Sequence, residues 1–300
     1  MYEGEHIVLK PFKKEKHMKV IQKPKDLQKL SNEMRRNDQI IGFVPTMGYL
    51  HDGHISLLTA ARSQSSMVVL SIFVNPTQFG PHEDLSIYPN DLPKDLAVAE
   101  AAGVDLVFTP SNEDLYGPHY QTYVHLNELP NHLCGLHRPT HFQGVATIVT
   151  KLFNIVKPHM AFFGEKDYQQ LAVIRQMVLD LNFDIKVVGC PIVREKDGLA
   201  MSSRNVFLSA NERQSALSLN KTLIHAQDQV SQGVKDAALL IENAQQRIES
   251  QQDTKVEYIR ICDKDTLTDI PSVDKNCLMA MAVKVGKTRL IDNCILFCRM

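Results

Sequence analysis

The chain has 300 residues, 44% of them hydrophobic and 22% charged, with a formal net charge of −1. That length exceeds what one hydrophobic core usually organises, which predicts two domains. The balanced charge and a pI near 6.9 leave no basic excess for coating nucleic acid. No apolar run approaches the roughly 18 residues that a membrane span needs. Residues 1–17 carry Lys10, Lys13, Lys14 and Lys16 without apolar periodicity, and Ile7-Val8-Leu9 is too short for a secretory core. They read as a flexible N-terminal extension of a cytoplasmic protein.

Strands and helices then alternate. Ile40-Ile41-Gly42-Phe43-Val44 reads as a buried strand, and Ile55 to Ala61 as the start of a helix. Met67 to Val74 is a near-continuous apolar run, as expected of a strand covered on both faces of a parallel sheet. A helix over about 92–102 stops at Gly103, and Val104 to Phe108 is the next strand. Val145, Ile148, Val149, Leu152, Phe153 and Val156 recur at helical spacing behind a capping-box pattern, Thr140-x-x-Gln143, and stop before Pro158. His159 to Phe163, a helix through Leu171, Ile174, Val178 and Leu181, and the strand Ile185 to Val188 complete the series.

Such alternation predicts an α/β, Rossmann-like doubly wound parallel sheet with its ligand crevice at the carboxyl ends of the strands. Gly189-Cys190-Pro191 punctuates the chain. Beyond it, Ser209-x-x-Glu212 caps a helix to about Ser231, a second helix covers roughly 235–251, and strand-like pieces lie at 255–262, 277–285 and 294–298. Residues 18–191 are therefore read as the larger domain, carrying that ligand crevice. Residues 192–300 are read as a smaller α+β domain that acts as a lid. The six cysteines form no C-x-x-C pair and read as small buried hydrophobes in a reducing compartment.

Two segments carry chemistry. Residues 45–54 read Pro45-Thr46-Met47-Gly48-Tyr49-Leu50-His51-Asp52-Gly53-His54, placing two imidazoles where a strand turns into a helix. Gly53 permits close approach of a ligand, and the free N–H groups of a first helical turn attract anions. A tight turn with two exposed histidines is the plain alternative. Residues 198–205, Gly-Leu-Ala-Met-Ser-Ser-Arg-Asn, form a small cationic loop that alone would pass for ordinary surface.

In this order the two segments resemble the HxGH nucleotidyltransferase superfamily, whose late loop closes over a triphosphate. Three more blocks, Ser71 to Phe79, Arg138 to Val145 and Phe163 to Leu171, are similar to the pantothenate synthetase family, AMP-forming pantoate–β-alanine ligases. The resemblance runs from about Met18 to the C-terminus, densely to residue 208. It implies ATP as substrate, Mg²⁺ with the phosphates, a homodimer, and a pantoyl-adenylate intermediate.

It also implies site residues. His51, His54, Lys166, Ser202, Ser203 and Arg204 would form a cationic and donor cradle for the phosphates. Pro45, Thr46, Met47, Gly48, Gly53, Gly164, Glu165, Asp167, Val193 and Met201 would contact the nucleotide. Gln78, Gln170, Asn75 and Arg138 would hold pantoate or β-alanine. Asp167-x-x-Gln170 reads equally as a capping box, Val193 and Met201 as simple packing, and Arg138 as a surface charge. Two departures stand out: Asn75-Pro76-Thr77-Gln78 where the family commonly has Asn-Pro-Met-Gln, and Tyr88-Pro89-Asn90-Asp91 where it has Tyr-Pro-Arg-Thr. The alternatives are a nucleotidyltransferase that stops after nucleotidyl transfer, needing no glutamine pair, and a non-catalytic nucleotide-binding regulator, needing no paired histidines.

Overall fold

The computed structural model describes residues 18–81 and 83–297; the expectations for residues 1–17 and for Cys298 lie outside them. The first strand, β1 (Lys19–Ile21), leads into α1 (Pro24–Arg36), which opens on Pro24 and carries Asp26 in its first turn and Arg35 and Arg36 in its last. Then follow β2 (Ile41–Thr46), α2 (Asp52–Gln64), β3 (Met67–Ile72), α3 (Leu92–Ala101), β4 (Leu106–Phe108) and the single turn α4 (Asn112–Leu115). Next come α5 (His141–Val156), β5 (Met160–Gly164), α6 (Tyr168–Asp180) and β6 (Lys186–Cys190).

The six strands form one parallel sheet in the order β1-β4-β3-β2-β5-β6. From β2 the chain runs outward through β3 to β4, then returns across the sheet to β5 on the other side of β2. The strand order therefore reverses between β2 and β5, and such a switch point opens a crevice at the carboxyl ends of its strands.

Past β6 the chain builds α7 (Ala210–Ser231), α8 (Ala237–Glu249) and an antiparallel sheet of β7 (Thr254–Cys262), β8 (Cys277–Val285) and β9 (Thr288–Leu296). Ser209 and Glu212 make the reciprocal cap expected at the start of α7. β8 is buried along almost its whole length, because α7 and α8 cover one face and the first unit covers the other. Cys262, Leu267, Leu278 and Ala280 belong to the same apolar cluster as Phe43, Phe153 and Ile174.

Cys134, Cys190, Cys262 and Cys277 are buried thiols and Cys294 is partly buried. Burial raises Cys262 and Cys294 to about 12, so both stay protonated.

Two expected capping boxes do not form. Thr140 lies in the helical region (φ −94°, ψ −8°), continuing the tight turn from Arg138, so its hydroxyl cannot reach back to the first turn. α6 is entered through a 3₁₀ turn at Glu165–Asp167, which leaves Asp167 outside capping geometry.

Candidate active site

A cavity open to solvent lies at the switch point. Its wall includes Pro45 and Thr46 at the end of β2 and Met47, His51, Gly53 and His54 beyond it. Asn75 and Gln78 come from the turn after β3, Gly164 from the end of β5, and Lys166, Asp167 and Gln170 from the segment that follows it. Arg138, Val193, Met201, Ser202, Ser203 and Arg204 complete it. The two expected residues it does not include are Gly48 and Glu165. Gly48 adopts φ +86°, and a Cβ there would lie 2.9 Å from Asp95 Oδ2, so glycine serves the turn. Glu165 offers its backbone carbonyl to Asn293 Nδ2 at 3.0 Å.

The histidines are set by an unusual cap. His51 Nδ1 accepts from Gly53 N–H at 3.2 Å, and His54 Nδ1 accepts from His51 N–H at 3.3 Å. The rings lie 4.1 Å apart. This corrects one expectation: the N–H of Gly53 is taken by His51 Nδ1 and that of His54 by the His51 carbonyl at 2.8 Å. Those two N–H groups are therefore not free to meet an anion, which leaves the imidazoles as the donors of this turn that face the cavity.

Burial, followed by the Lys166 charge, lowers the pKa of His51. Burial, then His51 and Lys166, takes His54 down to about 3. Both rings are therefore neutral near pH 7, and with Nδ1 accepting, the proton sits on Nε2. They can donate from Nε2, and Lys166 and Arg204 line the same cavity.

Asp95, missed by sequence reasoning, holds this loop. It is buried on α3 and accepts from Tyr49 N–H at 2.8 Å and Leu50 N–H at 2.7 Å. Asp91, one of the departures, is the N-cap of that helix, accepting from Lys94 N–H at 3.2 Å, and does not line the cavity.

The lining around Gln78 and Arg138 is gripped at several points. His141 Nδ1 lies 2.9 Å from the Gln78 carbonyl, which can only accept, so Nδ1 carries the proton and Nε2 faces Arg138 Nη1 at 3.3 Å. Burial and then Arg138 lower His141 to about 4, consistent with that neutral form. Arg138 also binds the Glu83 carboxylate through Nε (2.8 Å) and Nη2. It is a pinned residue of the wall and not a loose surface charge.

Arg204 likewise makes a two-point contact with Asp84 (2.7 and 2.8 Å) and lies over the Tyr88 ring. The Tyr88 hydroxyl is 3.0 Å from Ser203 Oγ. Lys166 makes a long 3.7 Å pairing with Asp167.

The antiparallel sheet anchors two segments of the site. Arg194 binds Asp292 on β9 at 2.7 and 3.0 Å. Asn293 Nδ2 donates to the carbonyls of Glu165 (3.0 Å) and Lys166 (2.9 Å). Buried Gln169 bolts α6 to the loop at Leu129–Cys134 through Leu129 and His132 carbonyls and Cys134 N–H. None of these long-range partners has a local signal in the sequence.

The family model described as pantoate-beta-alanine ligase matches residues 19–295. The chain belongs to the pantoate–β-alanine ligase family. A pantothenate synthetase of Desulfatibacillum aliphaticivorans is 56% identical over 279 residues, covering 93% of this chain and 99% of the relative. That of Thermotoga petrophila is 51% identical over 93% and 100%. Among ligases of known structure, the pantothenate synthetase of Thermus thermophilus superposes with a TM-score of 0.88 at 41% identity, covering 93% of this chain and 100% of that one. The Francisella tularensis pantoate-beta-alanine ligase, solved as a complex with beta-gamma ATP and beta-alanine, gives 0.79 at 35% identity over 93% and 98%. These solved relatives cover the chain through both of its sheets.

Proposed function

We propose that the chain condenses pantoate with β-alanine, consuming MgATP and forming pantothenate, AMP and pyrophosphate. The observation that carries this reading is one cavity lined by two unlike sets of groups. One set is the neutral imidazole donors, Lys166 and the Ser202–Arg204 loop, suited to a triphosphate. The other is the amides of Gln78 and Gln170, suited to a hydroxy acid. Amides discriminate hydroxyls well, because an analogue lacking one leaves a polar group unpaired.

The pantoate carboxylate attacks the α-phosphate and pyrophosphate leaves, giving pantoyl adenylate. Positioning and charge stabilisation dominate such a step. The Nε2–H groups of His51 and His54 donate to oxygens where charge develops. Lys166 supplies charge, and Ser202, Ser203 and Arg204 close over the phosphates. In the second step the β-alanine amine attacks the acyl carbon and expels AMP.

Among the described residues no group of three or more His, Cys, Asp or Glu converges on a metal site. Mg²⁺ is assigned with the nucleotide phosphates, and Asp167 lines the cavity that would hold that nucleotide. The chain beyond residue 191 is assigned as the smaller domain and lid, which fits the placement of the 198–205 loop on β9. A cytoplasmic homodimer completes the reading, and no helix among the described residues is long and apolar enough to cross a membrane.

The test is to supply ATP with pantoate and measure pyrophosphate, then add β-alanine and measure amide formation with AMP release. Pyrophosphate without any amide product would favour simple nucleotidyl transfer. Neither product would refute both readings.

A further inference from the structure

The side chain of Asn75, 1% exposed, has every hydrogen-bonding position filled from within the protein. Its amide is 3.1 Å from the Gly144 carbonyl. A carbonyl only accepts, so the atom facing it is Nδ2. The other atom, Oδ1, receives the hydroxyls of Thr77 at 3.0 Å and Tyr116 at 2.9 Å. The second Nδ2 proton goes to Gln78 at 3.1 Å, which identifies that Gln78 atom as Oε1.

Gln78 must then turn Nε2 elsewhere, and Nε2 lies 3.1 Å from the sulfur of Met47. A thioether is a weak acceptor, readily exchanged for oxygen. Both Gln78 and Met47 line the cavity.

The backbone of the same turn is equally constrained. The Gln78 carbonyl accepts from Arg138 Nη2 at 3.2 Å and from His141 Nδ1 at 2.9 Å. A Cβ on Gly144 would meet the Thr77 carbonyl at 2.5 Å, so only glycine lets α5 approach this closely. Burial raises Tyr116 to about 12, which keeps its hydroxyl protonated and able to donate.

We propose that Thr77 and Tyr116 are positioning residues for the hydroxy acid: their hydroxyls fix the Asn75 amide, which fixes Gln78 as a hydrogen-bond donor to an acceptor oxygen of pantoate. Asn75 on this account does not touch substrate, since it has nothing left to offer. The proposal rests on the reading of this cavity as the pantoate site. It also gives the Thr77 departure a job, because the hydroxyl at this position completes the Asn75 shell.

The experiment varies pantoate and ATP separately in the pyrophosphate assay. Thr77→Val and Tyr116→Phe are each expected to raise the pantoate KM about 3–10-fold, and the double variant about 10–100-fold, as Oδ1 loses one and then both partners. The ATP KM stays unchanged, and Thr77→Ser, which restores the hydroxyl, behaves like the parent. A double variant with parental pantoate KM would overturn the proposal. So would equal increases for pantoate and ATP, which indicate general scaffolding. If the unmodified chain makes no pantoate-dependent pyrophosphate, the assignment of the cavity fails instead. The network is then decided by NMR of the labelled Gln78 side-chain amide: a shift in the double variant upholds the orienting relay, and an unmoved resonance refutes it.

Discussion

Lowering the pH from 7 to 5 is expected to destabilise the folded chain through His54 before the carboxylates begin to protonate. Burial holds this imidazole at about 3, against 6.5 for the free side chain. The unfolded chain therefore takes up a proton below pH 6.5 that the folded chain refuses, so stability is full above that pH and falls as pH drops toward the folded value. Each pH unit in that window costs about 1.4 kcal/mol per such group, or about 2 kcal/mol for His54 by pH 5. His141, held at about 4, adds a similar amount. Glu83 and Asp84 act in a lower window. Burial opposes their ionisation, but the hydrogen bonds from Arg138 and Arg204 outweigh it and keep both below the usual carboxylate range. Urea unfolding at pH 7 and pH 5 measures the effect. His54→Gln removes one titrating group, so its stability is expected to fall by about 2 kcal/mol less over this interval than that of the parent. Identical losses in parent and variant would show that His54 takes up its proton in the fold as readily as in the unfolded chain, and the burial-depressed imidazole would fall.

His54→Ala is expected to cut pantoate-dependent pyrophosphate formation by about 10²–10³-fold and to affect amide formation from supplied pantoyl adenylate much less; equal losses in the two half-reactions would contradict its role at the phosphate. Gln78→Ala or Gln170→Ala is expected to weaken use of pantoate far more than of ATP, read as separate KM values. Asp95→Ala orphans the N–H groups of Tyr49 and Leu50, so thermal unfolding is expected to report a loss of about 2–4 kcal/mol, with a raised ATP KM because the loop carrying His51 is no longer held. Translation begun at Met18 is expected to leave activity intact and the melting temperature within the few degrees of a roughly 1 kcal/mol change, since the family match starts at residue 19.

The sheet was readable because its strands are buried on both faces and announce themselves as apolar runs, as Met67–Ile72 does. β1 escaped notice: three residues at the sheet edge, two of them exposed, carry no such run. The histidine pair was legible as chemistry but not as a cap, because histidine is not among the residues that favour that position. Asp95, Asn293 and Gln169 stayed hidden for another reason. Each acts on residues dozens of positions away, and only the folded topology brings donor and acceptor together. Thr140 and Asp167 show the converse, since a capping pattern is empty when the backbone enters its helix through another turn.

Glu83 and Asp84 are neighbours in sequence, and they occupy Arg138 and Arg204, the two arginines of the cavity wall. The chain thus carries its own counter-anions at both arginines. On the proposed function, a substrate phosphate or carboxylate arriving there would gain only the difference between two partners, so its association would be an exchange and not a simple capture. A monovalent buffer anion would offer little over the carboxylate already seated, whereas a ligand presenting several charges at the right spacing would displace both at once. Exchange of this kind would make the cavity selective against stray ions while keeping its arginines oriented and paired.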